Sequence, residues 1–437
     1  MINLEKKFVV QPDGNINGQV SIPGDKSISH RALILSSIAE GETIIRGFLM
    51  GQDCLATLIA LEQLGVSVDL SKESEIRVSG LGLDGLQPSS KTLDLGNSGT
   101  AIRLMTGLLA GQPFKSCLTG DASLRRRPMD RLANPLREMG AIIETNNGTA
   151  PIKLQGGNLK GINFESTVAS AQLKSALLIA GLFAKGETSI IEPAVTRDHT
   201  ERMLAAFGVD LGIQDKYICL DGLQGLKATE LEVPGDLSSA AFIIAAGIIA
   251  GENEIRIDGV GVNPTRTGII EVLRLMGAEI SLLNQRMFNQ EPVADLVVKA
   301  TNLKGINLPN ELVSLSIDEF PIIFALAACA DGETLITGAE ELRYKESDRI
   351  SIMTKGLHQM GVKAEELNDG VRIKGGELNG AVIDSAGDHR IAMAFAVLAL
   401  KANNPVEILN TANVDTSFPS FCHLMRSLGV IIEEINL

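Results

Sequence analysis

Apolar positions along the chain fall into six copies of one pattern. Each copy opens with an apolar run, such as SHRALILSSIA, GTAIRLMTGLLA or AQLKSALLIAGLFA, which predicts a helix of about 12–16 residues. A glycine turn follows, then an alternating run such as GETLITG, which predicts a half-buried strand. A second helix, apolar on one face and rich in charge on the other, stops at a Leu-Gly, Met-Gly or Phe-Gly pair. Those pairs end at Gly65, Gly140, Gly208, Gly277, Gly361 and Gly429, at intervals of 68 to 84 residues, and glycine there suits a helix C-terminus. A further strand such as VSVDL or VKAEE closes the copy.

Helices and strands alternating on this scale predict α/β layers. The unit is longer than a solenoid repeat, so six copies are better arranged as two groups of three. The tripeptide Pro-Gly-Asp marks the division. It stands at Pro23, before the first copy, and again at Pro234, before the fourth. This predicts one domain over residues 23–234 and a second over 1–22 plus 235–437, with hinge crossings near Pro23 and Pro234. A length of 437 residues agrees with two domains.

Composition narrows the function. The formal charge is −14 and tryptophan is absent, which disfavours nucleic-acid and membrane-surface partners. Five scattered cysteines with no C-x-x-C pair point to reduced thiols rather than a disulfide framework or a zinc site. The N-terminus lacks a signal-peptide core, and the longest apolar stretch, SSAAFIIAAGIIAG, falls short of the ~18 residues that span a bilayer. A cytoplasmic, monomeric protein without a membrane is expected. The segment GDKS lacks the glycine before lysine that a P-loop needs, and no metal or cofactor signature is present, so neither is expected.

The starts of the apolar helices carry the candidate chemistry. They read DKSISHR, NSGTAIR, SAQLK, DLSSAAF, DEFPII and DHRIAM, rich in residues that cap a first turn. Capping alone leaves Lys26, Arg31, Arg103, Lys174 and Arg390 unexplained, because the helix dipole disfavours cations there. They make sense if an anion joins them. Four further clusters, LRRRPMDRL, TRDHTERM, RYKESDR and GDHR, set arginine beside acid or histidine. Each alone could be a solvated helix face with local ion pairs. Together they point to small substrates bearing phosphate and carboxylate, which arginine grips in bidentate fashion.

The chain resembles the 5-enolpyruvylshikimate-3-phosphate synthase family over nearly its whole length. The motifs that carry the resemblance are GDKSISHR, LDLGNSGTAIR, RRPMDRL, SAQLKSALL, RDHTERML, IDEFP, YKESDR and GDHRIAMA. GDKS, RDHTE, SAQLK and NPTR (Asn263 to Arg266) are similar to the class II branch. The resemblance implies a two-domain inside-out α/β barrel of six βαβαββ repeats, three per domain. It implies transfer of the enolpyruvyl group of phosphoenolpyruvate to shikimate 3-phosphate through a tetrahedral intermediate, without a cofactor.

Residue by residue, the resemblance implies that Lys26, Ser27, Arg31, Ser170, Gln172, Arg197, Asp318 and Lys345 contact shikimate 3-phosphate. Lys26, Asn97, Gly99, Arg127, Gln172, Arg349 and Arg390 would contact phosphoenolpyruvate, with Thr100 in the same loop as Gly99. Asp318 is matched to the base for the 5-hydroxyl and Glu346 to the acid for the methylene carbon, with Lys26 also catalytic. The plainer readings are a helix cap for Asp318 and an ion pair with Lys345 or Arg349 for Glu346. Closure of two domains around anions would expel water and strengthen each charged contact. Two positions depart from the pattern: Thr416 where some members carry lysine, and Leu104 where others carry proline. Retained Gly99 and Thr100 imply that glyphosate binds in place of phosphoenolpyruvate. A related family, UDP-N-acetylglucosamine enolpyruvyl transferase, has a reactive loop cysteine, whereas Cys117 falls in the strand-like FKSCLTG. A non-catalytic repeat protein that binds an anionic metabolite could lose Asp318 and Glu346, yet both are present.

Overall fold

The computed structural model describes residues 6–437 except Asp13, Asn15 and Glu73. The chain divides into two compact units. The first holds Gly24–Val233 together with Met287–Glu291, the tip of a hairpin; the second holds the chain up to Pro23, Pro234–Arg286 and Pro292–Leu437. Each unit has its own apolar core.

Helices alternate between an inner and an outer kind. In the first unit the inner helices are α1 (Lys26–Ser37), α3 (Gly99–Ala110) and α5 (Ala171–Gly181), and the outer ones α2 (Gln52–Gln63), α4 (Asp130–Glu138) and α6 (His199–Ala206). In the second, α7 (Leu237–Ala250), α9 (Phe320–Cys329) and α11 (His389–Leu398) are inner, and α8 (Gly268–Leu275), α10 (Arg349–Gln359) and α12 (Phe421–Ser427) outer. Inner helices are apolar all round because strands and helices surround them: α11 is buried at every position and α7 at every position but its last. The outer helices end as the glycine pairs predict. Gly65, Gly140, Gly208, Gly277, Gly361 and Gly429 all adopt positive φ, from 86° to 111°, one residue beyond the helix cap.

Among the described residues six sheets, three in each unit, accompany the six helix pairs. In five of them an edge strand runs parallel to the first strand of the copy, while the last arm of the copy pairs antiparallel on its other side. Two edge strands explain the repeated Pro-Gly-Asp. Ile16–Ser21 lies parallel to Gly251–Gly261 in a sheet of the second unit, and α1 of the first unit follows Pro23. Glu230–Glu232 lies parallel to Ala39–Arg46 in the first unit, and α7 of the second follows Pro234. The N-terminal strand Lys6–Val10 completes the sixth copy, antiparallel between Val406–Leu409 and Ile432–Asn436. No helix among the described residues is long and apolar enough to cross a membrane.

Candidate active site

The polar starts of the inner helices meet inside each unit. In the first, Asp25 caps α1 by accepting from Ile28 N at 2.8 Å, Ser98 caps α3 and Ser170 caps α5. Gln172 on α5 spans to α3, donating to Thr100 Oγ1 at 3.0 Å and accepting from Arg103 Nη1 at 2.9 Å. His30 on α1 joins Thr57 Oγ1 at 2.8 Å and Ser98 Oγ at 3.1 Å. Burial first, then the charges of Lys26 and Arg31, push the His30 imidazole down to about 3, so it is neutral.

Around that frame stand the expected cations. Lys26 Nζ lies 3.1 Å from Asp53, whose buried carboxylate is on the first turn of α2. Arg31 is 2% exposed and donates to Thr200 Oγ1 at 2.7 Å, Ser175 Oγ at 2.6 Å and the Ser27 carbonyl at 2.8 Å. All three acceptors are neutral. Burial lowers its pKa to about 10 against the pull of the Glu201 and Asp25 carboxylates, and the charge of half-buried Arg197 adds to the lowering. Of the four arginines in LRRRPMDRL only Arg127 is buried, and it donates to Asn97 Oδ1 at 2.9 Å. Gly99 shares this corner: a Cβ there would stand 2.7 Å from Arg127 Nη1 and 2.8 Å from Arg103 Nη1.

The second unit gathers carboxylates as well as cations. Arg349, at the start of α10, is 1% exposed. Its Nε donates to Asp388 at 2.9 Å and its Nη2 to Glu346 at 2.6 Å, while Nη1 lies 3.7 Å from Asp318. Burial works to lower the Arg349 pKa, but Asp388 and Glu346 outweigh it and hold it above the ordinary value. Asp318 Oδ1 also accepts from Lys345 Nζ at 3.1 Å, and the Asp318 carbonyl accepts from Arg390 Nη1 at 2.9 Å. One buried arginine thus touches both carboxylates matched to proton transfer, and each of them keeps an edge toward solvent.

Two expectations change, those for Asp318 and Lys174. Asp318 is not a helix cap, since α9 begins at Phe320 with Glu319 in the cap position. The Glu346–Arg349 ion pair is present, so Glu346 has a structural partner whatever else it does. Lys174 needs no outside anion: Glu192 and Glu201 stand 2.8 and 2.7 Å from its buried Nζ. Thr416 donates to the Asn413 carbonyl at 2.6 Å and supplies no charge. Cys117 lies in the strand Lys115–Thr119.

Comparison with known proteins decides the family. A family model described as EPSP synthase (3-phosphoshikimate 1-carboxyvinyltransferase) matches residues 10–425. Curated 3-phosphoshikimate 1-carboxyvinyltransferases from Methylococcus capsulatus and Alkalilimnicola ehrlichii are each 53% identical, covering 98% of this chain and 98% and 96% of their own. The chain belongs to the EPSP synthase family. A solved EPSP synthase from Acinetobacter baumannii is 46% identical with a TM-score of 0.88, covering 99% of this chain and all of its own. The inside-out α/β fold of EPSP synthases is therefore the fold of this chain, and the nucleotide-sugar alternative is not favoured.

Sequence reasoning missed Asp53, Thr200, Ser175 and Glu319 as partners of the candidate cations. Asp53 reads only as an acid on the first turn of a helix, a common dipole match. Thr200 and Ser175 lie 169 and 144 residues from Arg31, and no local pattern links such positions.

Proposed function

We propose that this EPSP synthase family member transfers the enolpyruvyl group of phosphoenolpyruvate to the 5-hydroxyl of shikimate 3-phosphate and releases phosphate. The observation that carries the reading is the Asp318–Arg349–Glu346 arrangement, two partly exposed carboxylates held by one buried guanidinium. Asp318 takes the proton of the 5-hydroxyl as its oxygen attacks C2 of phosphoenolpyruvate. Glu346 gives a proton to the methylene carbon, which becomes a methyl group in the tetrahedral intermediate. Phosphate then leaves and the methyl group returns a proton, restoring the double bond. Proton transfers of this kind contribute roughly 10²–10⁴-fold each.

The first unit would supply anion binding. Arg31 with its hydroxyl and carbonyl partners, Arg197, Ser27, Ser170, Gln172, Lys345 and Asp318 would contact shikimate 3-phosphate. Lys26, Arg127, Asn97, Gln172 and the backbone at Gly99 would hold phosphoenolpyruvate, joined by Arg349 and Arg390. Gly99 supports this assignment, because an added Cβ would displace the Arg127 guanidinium. Glyphosate would compete with phosphoenolpyruvate here, and unchanged turnover at millimolar glyphosate would count against that. The test of the function is phosphate release from phosphoenolpyruvate with shikimate 3-phosphate as acceptor. Release with UDP-N-acetylglucosamine alone would overturn the reading.

A further inference from the structure

The second Pro-Gly-Asp segment carries no cation, but its polar residues are not idle. Ser238, on the first turn of α7, donates through Oγ to Glu319 Oε1. Arg266, from the Asn-Pro-Thr-Arg loop, donates to that same Ser238 Oγ at 2.6 Å and lies 3.3 Å from Asp236 and 3.7 Å from Glu319 Oε1. Asn263 shapes that loop by accepting from Thr265 N at 2.9 Å. Arg390 Nη1 stands 3.6 Å from the same oxygen, Glu319 Oε1. Glu319 is 2% exposed, and its second oxygen, Oε2, is buried without a hydrogen bond. One carboxylate thus ties together the starts of α7, α9 and α11.

A buried carboxylate with an unbonded oxygen is costly unless cations compensate it. Here two guanidiniums do, and one of them is Arg390. Arg390 sits on the first turn of α11, where the dipole repels it, so something must hold it in place. Nη1 is tethered to the Asp318 carbonyl and faces Glu319, and it is the only nitrogen of this guanidinium that is hydrogen-bonded among the described residues. Nε and Nη2 are left for a ligand.

We propose that Glu319 is a positioning residue that sets the Arg390 guanidinium for the phosphoenolpyruvate anion, and that Ser238 and Arg266 fix Glu319. This rests on the reading of Arg390 as a phosphoenolpyruvate contact. Fixing a long side chain in advance spares the ligand the cost of ordering it. The opposite effect is that Glu319, being negative, weakens the pull on an anion. The two effects have opposite signs on KM, so an experiment separates them.

The experiment is steady-state kinetics on the full-length Glu319→Gln and Arg390→Lys variants, varying each substrate in turn, with thermal midpoints recorded alongside. Glu319→Gln is expected to raise KM for phosphoenolpyruvate about tenfold, leaving KM for shikimate 3-phosphate within about twofold and kcat within about threefold. An unchanged KM for phosphoenolpyruvate overturns the proposal, and a lowered one shows that Glu319 only damps the field. Arg390→Lys must itself raise that KM. If it does not, the reading of Arg390 fails and the proposal falls with it; if it does while Glu319→Gln has no effect, only the proposal fails. Should Glu319→Gln not fold, Ser238→Ala removes one donor to the same carboxylate. It is expected to raise KM for phosphoenolpyruvate about threefold, and no change overturns the proposal.

Discussion

Arg31 and Arg349 are among the largest fully buried side chains in the protein, and the two units treat them in opposite ways. The first unit surrounds Arg31 with two hydroxyls and a carbonyl, and burial drags its pKa down to about 10. The second surrounds Arg349 with Asp388, Glu346 and Asp318, and its pKa rises. Glu201 and Asp25 pull the other way without a direct contact, and burial outweighs them, so the desolvation of Arg31 is not fully compensated. A substrate phosphate would compensate it. A buried cation among carboxylates is already largely compensated, so besides its proposed contact with phosphoenolpyruvate Arg349 holds those carboxylates in place. On the proposed reading, the same residue type serves anion binding in one unit and proton transfer in the other.

The contrast breaks if the carboxylates around Arg349 serve structure alone. Asp318→Ala and Glu346→Ala are expected to lower turnover roughly 10²–10⁴-fold each while shikimate 3-phosphate still binds, as calorimetry would show. Full activity in both variants would remove proton transfer from the second unit.

Within the first unit Lys174 is compensated more fully than Arg31, because two carboxylates touch it directly. Lys174→Met leaves Glu192 and Glu201 buried without their partner, and burial already raises the Glu201 pKa. A loss of about 3–5 kcal/mol in urea unfolding is expected. A loss below about 1 kcal/mol would mean that the cluster relaxes or takes up water.

His30 offers a smaller effect with a defined sign. Its folded pKa of about 3 lies below the ordinary 6.5, so between those values the unfolded chain binds a proton that the folded chain refuses. The stabilising contribution is complete above pH 6.5 and is lost as pH falls toward 3, at about 1.4 kcal/mol per pH unit. His30→Asn should flatten the fall in thermal midpoint between pH 6.5 and 5; parallel curves for the two proteins would contradict this. Smallest is Gly99→Ala. Displacing Arg127 and Arg103 should raise KM for phosphoenolpyruvate about fivefold and leave shikimate 3-phosphate binding unchanged.

What the sequence made legible follows from the range over which each feature acts. The six helix-ending glycines were readable because positive φ is a demand of the backbone at one position. The inner helices were readable because burial on every side leaves an unbroken apolar run. The candidate cations were readable as residues placed against a helix dipole. Their partners were not. Whether Lys174 meets carboxylates or Arg31 meets hydroxyls depends on residues that only the folded chain brings near. The segment PGDLSSAAF shows the limit most clearly. It reads as a crossing without cations, yet Asp236 and Ser238 hold Arg266 and Glu319 beside Asp318. Its sequence displays the absence of cations but not which cations its hydroxyl and carboxylate serve.

The most direct measurement is urea unfolding of Arg31→Met and Arg349→Met, each with and without saturating shikimate 3-phosphate. Substrate-free Arg31→Met is expected to unfold within about 1 kcal/mol of the parent chain and to gain almost nothing from shikimate 3-phosphate. Arg349→Met is expected to lose about 3–5 kcal/mol without substrate and to keep most of the gain that shikimate 3-phosphate confers. The reverse pattern, with Arg31→Met badly destabilised and still stabilised by the substrate, would contradict the contrast between the two arginines.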